Sequence, residues 1–210
     1  MKKSLLTVIL VAVAAVSASA QSAVGSVYVK PMAGGVLSTF AGSDSDGAEM
    51  KLGLVAGAEL GYQISNQVAL TGGLLYTMQG CSMDTEGDPK MKLDYLNIPL
   101  LANFYVAPGL ALKAGVLPGI LLSANASASG GGVSADIDVS DAYNTFDLSI
   151  PLGISYEFNN FIIDARYNLG LTKVEKTSAT IAGFCQTISN PYNNVKNSVI
   201  MLTVGYKIPL

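Results

Sequence analysis

Apolar and polar residues alternate with a period of two along most of this chain. In Phe146–Phe158, Leu148, Ile150, Leu152, Ile154 and Tyr156 share a parity with the two Phe ends, against Asp147, Ser149, Pro151, Gly153, Ser155 and Glu157. Successive side chains of a strand point to opposite faces, so such a segment reads as a strand with one apolar face. Phe161–Thr172 repeats the pattern with Phe161, Ile163, Ala165, Tyr167, Leu169 and Leu171. Ser198–Leu210 does so with Ile200, Leu202, Val204, Tyr206, Ile208 and Leu210. The contrast is weaker but legible in Met50–Gln63, Val68–Gln79, Leu96–Val106 and Leu110–Leu122. The first segment, Val27–Ser38, sets Val27, Val29, Pro31 and Ala33 against Lys30 and Gly34. These eight segments run to about 11–14 residues each. Ordinary globular strands average about 5–6 residues, whereas a strand that crosses a bilayer needs about 9–11.

The connections alternate as regularly as the side chains. Ser65-Asn66-Gln67, Ala107-Pro108-Gly109 and Asn159-Asn160 are short; the stretches 39–49, 80–91, 124–141 and 175–196 are long and polar or Gly-rich. Tight turns on one side and long loops on the other mark outer-membrane barrels. A helical alternative fails on the most apolar stretch, Leu93–Leu122, because Pro99, Pro108 and Pro118 interrupt it and proline inside a helix costs about 3 kcal/mol. In lipid no water pairs an exposed backbone group, so a sheet there must close on itself. The expected fold is all-β: an eight-stranded antiparallel up-and-down transmembrane β-barrel, whose interior is just wide enough to be filled by side chains.

Composition agrees with an exported membrane protein. Half of the 210 residues are hydrophobic and only 13% are charged, against about 25% in soluble domains. Lys2 and Lys3, the apolar run Leu5–Val16 and the Ala18-Ser19-Ala20 site have the form of a cleavable signal peptide over 1–20, leaving a barrel domain over 21–210. The mature chain then holds 10 of the 12 Lys and Arg against 15 Asp and Glu, a net charge of −5, which gives no basis for binding nucleic acid. The two cysteines, Cys81 and Cys185, form a candidate disulfide between long loops of an exported protein.

The parity assigns Lys30, Lys51, Glu59, Lys113, Asp147, Glu157, Asp164, Arg166 and Lys207 to the barrel interior. Charges of both signs there are expected to form a hydrogen-bonded network that fills the lumen, since burying them unpaired is costly; a substrate or proton path is the sharper alternative. Tyr62, Tyr76, Phe104, Tyr156, Phe158, Phe161 and Tyr206 face outward, several beside the short turns, as an interfacial aromatic girdle does. The chain has no His, so Ser-His, Asp-His and Cys-His catalysis and His-based metal sites are excluded. Gly130-Gly131-Gly132 is followed by no Lys-Ser/Thr and reads as a loop tip rather than a phosphate cradle. Asp44-Ser45-Asp46-Gly47 has part of a calcium loop, without the remaining ligands or the terminal Glu. No enzyme activity, cofactor or metal is expected.

Three further motifs carry a family likeness. Asp94-Tyr95-Leu96-Asn97-Ile98-Pro99-Leu100-Leu101, Gly115-Val116-Leu117-Pro118-Gly119 and Asp164-Ala165-Arg166-Tyr167-Asn168-Leu169-Gly170-Leu171 resemble strands four, five and seven of the PorT-family outer-membrane β-barrel domain. Asn97 departs from the acidic residue common there, and no functional residue carries over. The resemblance implies an eight-stranded barrel in the outer membrane of a Gram-negative-type bacterium, with lipid as its surround. The expected role is structural or surface-interacting, toward external protein or polysaccharide met by the long loops. The rival readings are a small porin or a transport- or secretion-associated channel, and a soluble periplasmic barrel of lipocalin type.

Overall fold

The computed structural model describes residues 23–41, 49–82, 90–130, 133–174 and 196–210. They form β1 (Val27–Ala41), β2 (Glu49–Ser65), β3 (Val68–Ser82), β4 (Lys90–Asn97), β5 (Leu100–Ala107), β6 (Leu110–Gly130), β7 (Val133–Asp138), β8 (Phe146–Phe158), β9 (Phe161–Gly170), β10 (Lys196–Tyr206) and β11 (Ile208–Pro209), all antiparallel. Two of the wall's staves are split pairs. β4 and β5 are one stave interrupted at Ile98-Pro99, both pairing β3 on one side and β6 on the other. β10 and β11 are another, both pairing β1. The order β1–β2–β3–β4/β5–β6–β8–β9–β10/β11 returns to β1, so eight staves close a ring. The ring leaves the wall no open edge at membrane height, as a sheet in lipid requires.

The alternation sets the wall's two faces as the sequence predicts. In β9, Phe161, Ile163, Tyr167 and Leu169 are exposed, whereas Ile162, Asp164, Arg166 and Asn168 are buried. The turns between β2 and β3, β5 and β6, and β8 and β9 are short; Asn159 holds a left-handed φ of 53° in the last, a conformation Asn tolerates. The long-loop end departs from expectation in two places. The segment 124–141, read from sequence as a loop, is largely the distal half of β6 hairpinned to β7, followed by a single 3₁₀ turn at Ser140–Ala142. The stave read as Leu96–Val106 begins earlier, at Lys90.

One cause underlies both departures. Toward the long loops β4 turns Met91, Leu93 and Tyr95 inward, with Lys92 and Asp94 outward, so the apolar parity reverses there. In β6 the reversal needs a register shift: Asp94 pairs Ser123 while Tyr95 pairs Leu121, so Leu122 is an extra residue in the ladder. A β-bulge of this kind turns every later side chain to the other face. Beyond it Ala124 and Ala126 point in. At about 3.3 Å per residue the 21 residues of β6 run roughly 70 Å. Even tilted by about 40°, they rise well above an apolar band of about 25 Å. The wall at β4 and β6 therefore has two regimes: apolar outside where it meets lipid, polar outside where it meets water.

Candidate functional site: a filled barrel with a raised outer end

Three layers fill the lumen. Nearest the short turns lies an ion-pair layer. Lys30 Nζ is 2.6 Å from Glu59 Oε2, and Arg166 Nη1 is 2.6 Å from Glu59 Oε1. Arg166 also grips Asp164 with two bonds, Nε to Oδ1 and Nη2 to Oδ2, each 2.7 Å. Lys113 donates to Asp164 Oδ2, and Lys30 Nζ stands 3.7 Å from the same oxygen. Below this cluster Lys207 Nζ bonds both Glu157 oxygens, at 2.7 and 2.9 Å, and lies 4.6 Å over the Tyr28 ring. All seven charged side chains are buried. Glycines on the inward face make the room: a Cβ on Gly61 would lie 2.0 Å from the Tyr28 ring, and one on Gly153 would lie 2.9 Å from Arg166 Cγ.

The sequence-assigned interior set thus divides. Lys30, Glu59, Lys113, Asp164 and Arg166 form one cluster, and Glu157 with Lys207 a second. Asp147 stands apart, accepting from Thr172 Oγ1 at 2.9 Å and Ser149 Oγ at 3.0 Å. Lys51 is only partly buried and donates to the Gln79 carbonyl at 2.7 Å.

Sequence reasoning missed the other two layers. Met32, Val36, Val55, Leu75, Val199 and Met201 make an apolar middle layer. Above it Phe40, Cys81, Met91, Leu93, Tyr95, Ala124 and Ala126 form a hydrophobic core, capped by Tyr143 and Val174. The interior set is therefore not one network: ion pairs fill the end near the short turns, and toward the long loops the apolar layers share the lumen with buried Gln79, Asn97, Asp147 and Asn197. The signal was the reversed parity of Met91, Leu93 and Tyr95, which lies ahead of the strand read as Leu96–Val106. The cap is fixed by one backbone and one side-chain bond, with Asn144 N donating to the Val174 carbonyl at 2.8 Å and Asn144 Nδ2 to the Lys173 carbonyl at 2.9 Å.

Cys81 is fully buried in this outer core and is disulfide-bonded. Cys185, the chain's other cysteine, lies outside the described residues, as do Asp44-Ser45-Asp46-Gly47, Gly131-Gly132 and residues 1–20. Outward, Tyr62, Phe104, Phe158, Phe161 and Tyr206 are exposed near the short turns, with the Phe161 and Tyr206 rings edge-to-face at 5.1 Å. Tyr156 is half-buried there, and Tyr76 sits higher, beside Leu96 across the β3–β4 pair. Among the described residues no group of three or more His, Cys, Asp or Glu is placed to hold a metal ion.

A closed eight-stave ring, apolar on its outside and filled within, defines an integral outer-membrane β-barrel protein. The chain belongs to the outer membrane protein beta-barrel domain family, whose model matches residues 19–176. Among solved structures it is similar to Ail, the attachment invasion locus protein of Yersinia pestis, in complex with the heparin analogue sucrose octasulfate. That likeness has 18% identity and a TM-score of 0.51, over 89% of this chain and 100% of that one. It is also similar to Neisserial surface protein A, with 19% identity and a TM-score of 0.47, over 87% of this chain and 96% of that one. No curated protein sequence matches the chain.

Proposed function

We propose that this barrel acts as a surface-interaction protein: it anchors a rigid, water-facing platform outside the cell and neither conducts solutes nor catalyses a reaction. The observation that carries this reading is the apolar core of the long-loop end. A wall that reverses its parity and builds a second core above the lipid holds a defined shape in water, and long loops of such barrels lie outside the cell. The filled lumen weighs against the porin and channel reading, and the apolar exterior against a soluble lipocalin-like barrel. The finer placement with the PorT family rests on the strand motifs, and export on the signal-like segment 1–20.

Charge narrows the class of partner. The three short turns carry no charged residue, whereas the long connections hold Asp44, Asp46, Asp84, Glu86, Asp88 and Asp136 among others. The Ail structure named above holds a heparin analogue. An acidic platform repels so strongly sulfated a chain, so a protein or an uncharged or basic polymer fits this end better. The test is an epitope inserted between Gly130 and Val133. Antibody labelling of intact cells is the expected result; labelling only after permeabilisation refutes the reading. In planar bilayers the mature protein should show no defined, sustained openings.

A further inference from the structure

The lipid-facing wall is not smooth. On the short-turn side of the break at Ile98-Pro99, β2, β3, β5 and β6 lie side by side, and their registers align two rows of outward side chains. One row is Leu60, Gly72, Leu100 and Val116; the row nearer the short turns is Tyr62, Leu70, Ala102 and Ala114. Leu60, Tyr62, Leu70, Leu100 and Val116 each stand about half-exposed. Gly72, Ala102 and Ala114 reach out no further than a methyl group. Large side chains therefore rim a trough floored by small ones, with a volume of about 520 Å³. That is within the range of small-ligand sites, about 300–1,000 Å³. Glycine at 72 is what lets Leu100 lean over the floor, since a Cβ there would lie 3.2 Å from Leu100 Cδ2.

The trough's chemistry decides what fills it. Water needs two to four polar partners to settle in a cavity. The two outward rows offer only the Tyr62 hydroxyl; the Thr71 hydroxyl, on the same strands, faces inward and accepts from Asn103 Nδ2 at 3.2 Å. A void would cost the lining its dispersion contacts. A second copy of the barrel fits poorly, because the outside of an eight-stave ring is convex and the trough is concave. Three stave spacings of about 4.8 Å by two rows give on the order of 150 Å², against about 800 Å² on each side of a stable interface. The remaining occupant is one the wall already meets: a flexible, apolar lipid tail.

Its depth names the leaflet. Tyr62 and Leu70 lie close to the Ser65-Asn66-Gln67 turn, and Tyr62 belongs to the aromatic set at that interface. Short turns of such barrels face the periplasm. A tail entering past Tyr62 therefore comes from the periplasmic leaflet and runs on toward Leu100 and Val116. Neither row carries a charged residue, and neither do the two short turns beneath them, Ser65-Asn66-Gln67 and Ala107-Pro108-Gly109. The trough can thus grip a tail but has no charge with which to select a headgroup.

We infer that this trough is a binding site for one acyl chain of a phospholipid from the periplasmic leaflet, held by shape and indifferent to the headgroup. Lipid tails are as apolar as the wall, so packing rather than a hydrophobic gain selects the bound chain. Its preference for the trough over the rest of the wall is accordingly several-fold.

The test uses the mature protein in phosphatidylcholine nanodiscs doped with a trace of the same lipid carrying a diazirine in one tail. After illumination, adducts are mapped by mass spectrometry of peptides. Trough residues should be labelled several-fold more than Ile163, Leu169 and Leu202, which face lipid on β9 and β10. A diazirine beside the ester should mark Tyr62 and Leu70, and one at the chain end Leu100 and Val116. Phosphatidylglycerol probes should give the same pattern. Ala102→Leu with Ala114→Leu fills the floor and should abolish the enrichment, whereas Ala165→Leu, elsewhere on the outer wall, should leave it. The heat-modifiable gel shift reports that each variant is folded; should the double variant lose it, the order of labelling by the two diazirines in the unaltered protein decides. Even labelling around the wall overturns the inference, as does the reverse order of the two diazirines, a pattern that changes with the headgroup, or enrichment that survives in the folded double variant. A photoreactive residue in place of Leu70 should couple to lipid; coupling to a second copy makes the trough a dimer contact and also overturns it.

Discussion

Glu59 should be the residue whose loss the barrel tolerates least. In the ion-pair cluster three cations, Lys30, Lys113 and Arg166, face two anions, Glu59 and Asp164. Glu59→Gln leaves three buried cations around Asp164 alone and strips the 2.6 Å partner from both Lys30 and Arg166. Removing one member of a buried ion pair costs about 3–5 kcal/mol, because the other stays buried uncompensated. Arg166→Met removes three contacts, two hydrogen bonds to Asp164 and the ion pair with Glu59, yet leaves two cations facing two anions. Glu59 keeps Lys30, and Asp164 keeps Lys113 and Lys30. Each lost charge-assisted bond is worth about 1.5–3 kcal/mol at most, and balancing the charge returns part of that, so a net cost of roughly 2 kcal/mol is expected. The double variant restores the original excess of one cation and should cost less than the two single changes together. The chain has no Trp. Urea unfolding from lipid vesicles is therefore followed by far-UV circular dichroism and by the heat-modifiable gel shift. The reasoning is refuted if Arg166→Met destabilises as much as Glu59→Gln, or if the two changes simply add.

Three further outcomes follow from the structure. Leu202→Arg places a charge on the lipid-facing wall, where Leu202 is 56% exposed, and should cost about 2–4 kcal/mol if it lies near the bilayer midplane; a near-neutral result by the same unfolding assay argues for water there. Gly61→Val drives a side chain into the Tyr28 ring and should cost about 1–3 kcal/mol, whereas Gly61→Val combined with Tyr28→Ala should recover much of it. A non-reducing peptide map of the mature protein should join Cys81 to Cys185, the only two cysteines of the chain, and Cys81→Ser should lower stability by about 2–4 kcal/mol while leaving the barrel closed.

The sequence by itself determined the membrane-embedded barrel. A strand's side-chain period is two, so wherever one face meets lipid and the other a polar lumen, the alternation is visible residue by residue. It placed Asp164 and Arg166 inside and Phe161 and Tyr206 outside without any knowledge of their neighbours. The same logic concealed the outer end. Above the lipid the solvent on the outside is water, so Met91, Leu93 and Tyr95 turned inward, and a reading that sought apolar residues outside began their strand only at Leu96. The Leu122 bulge and the small side chains of Ala124, Ala126 and Ala128 erased what contrast remained in β6. Only the closed tertiary structure decided which charges meet. Lys30, Glu59, Lys113 and Arg166 come from β1, β2, β6 and β9, and only the stagger of strands around a ring fixes their common height.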